Sequence, residues 1–134
     1  MAELALVLSL LAQPAYPAVA TWYGGPYVGK PLYCGDYTYS PNTEPWVAVS
    51  SENADLCGHL LAIWTRGRDG QEHLTLARVL DVGPFGSHCV MQPSGACWPI
   101  AFDIPWHLWP HGGDLSAEVV RWTDITAEAR QYVH

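Results

Sequence analysis

Three aspartates stand where a carboxyl group can do acid–base work. Asp81 closes the alternating run His73-Leu74-Thr75-Leu76-Ala77-Arg78-Val79-Leu80 and is followed by Val82-Gly83-Pro84-Phe85. A carboxyl group at a strand end beside Gly and Pro can be partly desolvated, which raises its pKa toward neutrality. Asp103 lies in Phe102-Asp103-Ile104-Pro105-Trp106, and Asp36 follows Cys34-Gly35. Breaking a glycosidic bond requires one carboxyl group to protonate the leaving oxygen. Inversion with water requires a second, roughly 6.5–9.5 Å away. Each aspartate also has a plainer reading. Asp81 could accept N–H groups of its own turn, Asp103 could cap the turn at Ile104-Pro105-Trp106, and Asp36 could be a solvated loop carboxylate.

The chain holds seven Trp and seven Tyr in 134 residues. Trp98, Trp106, Trp109 and Tyr23 are the substrate-binding candidates, since flat rings can stack on sugars; packing in the core is the alternative. His73, His88, His107 and His111 form no H-E-x-x-H motif and read as surface or core residues, so no metal and no cofactor are expected. His59 follows Cys57-Gly58 and carries no motif.

The elements that must position these groups are short. Gly 12 and Pro 11 mark many turns, which favours strands over long helices. Strands are expected at Ala20-Thr21-Trp22-Tyr23, over residues 59–66, along the period-two run into Asp81, and around residues 118–122. Residues 45–51 (PWVAVSS) fit a strand or one helical turn. Residues 25–45 read as a long irregular loop, residues 104–109 as a short helical turn with Pro105 near its start, and residues 123–133 as a helical tail capped by Thr123 or Asp124. Many short strands between Gly/Pro turns predict a closed all-β barrel.

Length allows one domain. The expected division is residues 1–19 as an apolar N-terminal segment and residues 20–134 as the barrel domain with its C-terminal tail. Residues 4–12 (LALVLSLLA), followed by Ala18-Val19-Ala20, are similar to a signal peptide, although no Lys or Arg precedes them. The run is too short to span a bilayer. The alternative is that residues 2–19 dock as a short helix, on a partner subunit or on the chain's own barrel.

Cys34, Cys57, Cys89 and Cys97 permit three pairings. Residues 90–96 (VMQPSGA) read as a loop that needs a local tie, which pairs Cys89 with Cys97 and leaves Cys34 with Cys57. A four-Cys metal site is the alternative, but no C-x₂-C knuckle is present. Disulfides imply a secreted or extracellular setting, a virion or surface assembly included. A formal net charge of −7 with six scattered Lys and Arg argues against a nucleic-acid partner.

Thr21-Trp22-Tyr23-Gly24 resembles the opening strand of the rare lipoprotein A, expansin and family 45 endoglucanase group. Asp81-Val82-Gly83-Pro84-Phe85 resembles the D-x-G-P-[FY] signature of the rare lipoprotein A branch. Phe102-Asp103-Ile104 resembles the F-D-L segment that follows it, and Cys34-Gly35-Asp36 the G-E-x-[FY] stretch, with Asp in place of Glu. The resemblance spans about a hundred residues. It implies a six-stranded double-psi β-barrel with a groove across one face, acting on cell-wall glycan. Lytic cleavage of peptidoglycan, with Asp81 as acid/base and Asp36 or Asp103 assisting, is what the lipoprotein branch implies. Two departures count against full transfer. Ala48-Val49-Ser50 stands where that branch has A-A-H, and Gly24 follows Tyr23 where the endoglucanases continue to their nucleophile. The alternatives are a non-catalytic, expansin-like carbohydrate-binding module and a structural subunit of an extracellular assembly such as a phage tail.

Overall fold

The computed structural model describes residues 13–14 and 17–132. The docking or signal role expected for residues 2–19 falls largely outside them. Of that stretch, strand β1 (Gln13–Pro14) pairs antiparallel with Trp122 and Arg121. The barrel begins slightly earlier than expected, because Ala18 and Val19 are already buried and strand β2 runs Val19–Tyr23.

The remaining strands are β3 (Trp46–Ser50), β4 (Leu60–Arg66), β5 (Glu72–Gly83), β6 (Cys89–Met91), β7 (Cys97–Pro105) and β8 (Ser116–Asp124). Six of them close on themselves in the order β8-β2-β7-β3-β5-β4, with β4 pairing back to β8. The barrel is mixed: β2/β7 and β3/β5 are parallel, and the other four pairings are antiparallel. Closure removes the exposed edges that an open sheet of this size would carry. Strand β6 lies outside the ring as a hairpin partner of β7. Helix α1 (Thr126–Tyr132) follows β8; Asp124 accepts hydrogen bonds from the Thr126 N–H and hydroxyl and contacts His59 at 2.5 Å.

The core is filled by alternate residues. Val47 and Val49 from β3, Ala77 and Val79 from β5, and Phe102 and Ile104 from β7 all point inward. The period-two reading of β5 is therefore right, but the inward set is the smaller one, while Leu74 and Leu76 face outward and remain exposed. One residue beyond Val79 the alternation breaks. Val47 faces Val79 across the parallel pair, but Ala48 faces Asp81, so Leu80 is an extra residue on β5. This bulge reverses the phase of the strand. Asp81 takes the outward face with Ala48, and Val82, opposite Val49, packs back against the core.

Leu80 itself is buried beneath residues 24–45, which cross the outside of the barrel. It packs with Leu32, Tyr39 and Trp46 in a second apolar cluster. The stretch is laced by backbone bonds from Gly29 N–H to Tyr39 O, Leu32 N–H to Tyr37 O and Tyr39 N–H to Lys30 O, each 2.9 Å. Cys34 ties it to Cys57 by a disulfide, and Cys89 is bonded to Cys97 across the β6–β7 hairpin. The thiol pairing is thus the expected one, and the four-Cys metal site is excluded.

On loop-closure entropy, replacing Cys34 and Cys57 together by Ala should cost about 3 kcal/mol. Replacing Cys89 and Cys97 together should cost somewhat less, because the closed loop is shorter. Denaturant unfolding of the two double variants checks the order; a larger loss from the hairpin pair would contradict it.

Candidate active site

The two bulged parallel pairs bring four side chains into one transverse row on the outside of the barrel. Thr21 is opposite Asp103, Asp103 is opposite Ala48, and Ala48 is opposite Asp81. The phase on the β2/β7 side is also set by a bulge, since Val19 faces Ile100 whereas Ala20 faces Phe102. With strands roughly 4.8 Å apart, the backbones of Asp81 and Asp103 lie roughly 10 Å from each other. The methyl group of Ala48 is the only side chain between them in the row, so both carboxyl groups line one open cleft of about 470 Å³. Its walls include Tyr23, Tyr27, Phe85 and His88.

The two carboxyl groups are held differently. Asp81 Oδ2 accepts a hydrogen bond from the Tyr23 hydroxyl at 2.8 Å, and Oδ1 accepts one from the Tyr33 backbone N–H at 3.0 Å. Neither donor belongs to its own turn, so the reading of Asp81 as a self-satisfied turn residue does not hold. The direction of the first bond is forced. The Trp46 indole N–H lies 2.9 Å from the Tyr23 oxygen and can only donate. The Tyr23 hydroxyl must accept from it and pass its own proton toward Asp81. Burial raises the Tyr23 pKa; the Trp46 bond opposes that rise, and the nearby Asp81 carboxylate adds to it. Tyr23 is therefore a fixed neutral donor.

Asp103 accepts one hydrogen bond, from the Thr21 hydroxyl to Oδ1 at 3.0 Å. Burial drives its pKa from an ordinary 3.8 to about 6; the Thr21 bond opposes the rise and the charge of Asp81 reinforces it. It does not cap the turn that follows: the 3₁₀ turn Trp106–Leu108 starts from Pro105 without a side-chain cap. A carboxyl group pushed up to about 6, across the cleft from a second one held by two donors, is an arrangement that acid–base catalysis can use.

The other candidates are dispersed. Asp36 is exposed on the outer loop and is not among the residues lining the cleft. Trp109 is a correction: it is 8% exposed and packed into the barrel core, with its indole N–H donated to Asp114 O, so it offers no stacking face. Trp98 is half-buried on the β6–β7 hairpin, away from the cleft lining. Trp106 is 49% exposed and packs on Trp22 with ring centroids 4.6 Å apart. Ser50, in the position where a His would match the A-A-H motif, is buried.

Several contributors escaped the reading of the residues. Tyr27 and His88 line the cleft, Ala48 forms its floor, and Trp46 orients Tyr23. Only Trp46, an isolated Trp opening an apolar strand, carried a local signal. Among the described residues no group of three or more His, Cys, Asp or Glu side chains is placed to hold a metal ion. None of their helices is long and apolar enough to cross a membrane. No protein-family model, curated protein or solved structure matches the chain.

The Asp103 pKa has a consequence for stability. Its folded value lies above its unfolded value, so the folded chain holds a proton that the unfolded chain releases between about pH 4 and pH 6. The stability from burying a neutral carboxyl is complete below that window and declines as pH rises through it, by at most about 3 kcal/mol. Asp103→Asn should therefore stabilise the protein at pH 7.5 by on the order of 1–3 kcal/mol and change little at pH 4. Unfolding curves at both pH values test this. An equal gain at both would assign the effect to packing.

Proposed function

We propose that this protein cleaves cell-wall glycan, with Asp103 as the proton donor and Asp81 as the base. The observation that carries the proposal is the pairing of a raised-pKa carboxyl group with a second carboxylate across one open cleft. The glycosidic oxygen would take the proton of Asp103 as its bond to the anomeric carbon breaks. A hydroxyl group of the same sugar would attack that carbon and lose its proton to Asp81. Ring closure of this kind consumes no water and leaves an anhydro sugar end.

Three further points support the reading. The D-x-G-P-F segment delivers its aspartate to the cleft, and the F-D-I segment delivers the other. The closed ring with two parallel pairs is compatible with the double-psi arrangement that the resemblance implies. Two disulfides suit an oxidising, extracellular compartment where such a substrate is found. Relative to the sequence expectation, in which Asp81 is acid and base and Asp103 assists, the two roles are divided between the aspartates. Asp103, the more desolvated, donates; Asp81, held by two donors, accepts.

The test is incubation of the protein with purified peptidoglycan sacculi and chromatography of the soluble products. Anhydro-muropeptides are expected from wild type, with Asp103→Asn and Asp81→Asn each slowing release by at least about a hundredfold. The pH profile of the rate should fall above about pH 6, where Asp103 loses its proton. Products with a reducing end would replace ring closure by hydrolysis, and no product from wild type would leave a binding module.

A further inference from the structure

The outer loop carries an unusual amount of exposed apolar surface. Tyr27 is 56% exposed, Val28 55%, Tyr33 67% and Tyr37 37%, all within eleven residues. Single exposed apolar side chains are ordinary, but four on one short stretch that also borders the cleft point to a ligand. We propose that Tyr27 and Tyr33 form a sugar-stacking subsite that holds the glycan ring next to the bond being cleaved. This rests on the reading of the cleft as a glycan site and names the surface that would grip the chain.

Position is the first reason. The Tyr27 ring lies 5.8 Å, centroid to centroid, from the ring of Tyr23, whose hydroxyl is 2.8 Å from Asp81. Tyr27 and Pro31 are themselves part of the cleft wall. Tyr33 reaches the same carboxyl group from the other side through its backbone N–H. Tyr27 therefore lines the cleft at the Asp81 end, and exposed Tyr33 is tied to that end through its backbone.

Rigidity is the second. Tyr33 precedes Cys34, which is fixed by its disulfide and by a 2.9 Å bond from its N–H to Leu80 O. Buried Tyr39 anchors the returning arm, donating its hydroxyl to Tyr23 O at 2.6 Å and accepting the Trp106 N–H at 3.0 Å. A tyrosine on such a support loses few degrees of freedom on binding, having only two side-chain torsions to order.

Ligand chemistry is the third. Flat rings edged by hydroxyl groups match a pyranose, which has C–H faces and a hydroxyl rim. Stacked nucleic-acid bases would also suit the rings, but a chain of net charge −7 without a basic cluster would repel the attached phosphates.

The experiment uses the full chain with Asp103→Asn to prevent turnover. Two probes serve: retention on insoluble sacculi, and titration with soluble chitohexaose followed by calorimetry. Tyr27→Ala and Tyr33→Ala should each weaken binding about tenfold, as expected for loss of an aromatic anchor. Tyr27→Trp should restore it, and Tyr37→Ala, on the same loop, should leave it unchanged. If wild type cleaves sacculi while both alanine variants bind like their parent, the subsite falls and the cleavage proposal stands. If wild type releases no product but binding still depends on Tyr27 and Tyr33, the subsite stands and the catalytic proposal falls. Failure of the parent to bind either probe overturns the subsite, as does an effect of the variants confined to self-association in size-exclusion chromatography.

Discussion

One extra residue on β5 governs where the Asp81 carboxyl group sits. Ala77 and Val79 point into the barrel, and strict alternation would send Asp81 in after them. An unpaired carboxyl group in that apolar interior would be severely destabilising. The bulge at Leu80 removes the conflict, because Ala48 pairs with Asp81 rather than with its neighbour. The same device places Leu80 under the outer loop and returns Val82 to the core. A local break in the ladder thus puts a carboxyl group on the cleft side while Leu80 is buried and Val82 packs, partly buried, against the core.

The two carboxyl groups of the row then diverge because their surroundings differ. Asp81 faces two donors, one of them a phenol whose proton cannot point elsewhere while Trp46 donates to its oxygen. Asp103 has a single hydroxyl partner and is dominated by desolvation. Repulsion between them adds to the second effect, since ionising both would set like charges across a narrow cleft. Nothing in the side-chain chemistry of two aspartates distinguishes them; the distinction is made by neighbours from β2, β3 and the outer loop.

The outer loop has a structural and a positional role at once. It covers Leu80 and Trp46, which would otherwise be apolar groups on the outside of a sheet. The same stretch delivers the Tyr33 N–H to Asp81. The Cys34–Cys57 bond links that stretch to the turn before β4, so the cover, the carboxylate ligand and the barrel form one connected unit.

Much was legible from residue types alone. Short apolar runs between Gly and Pro turns favour strands, four cysteines without a C-x₂-C knuckle favour two bridges over a metal site, and the period-two run into Asp81 points to a strand that alternates up to Val79. Both carboxylates that share the cleft were marked by their neighbours in the chain. What the sequence could not decide was direction. Whether Leu76 or Ala77 faces inward depends on how much volume the closed ring leaves, and the ring selected Ala77. Trp109 and Trp106 are three residues apart in one aromatic segment, yet the first is core and the second exposed. The row Thr21–Asp103–Ala48–Asp81 joins residues up to 82 positions apart through strand register, and two bulges set that register. Register is a property of the paired backbones, so only the folded barrel settles it.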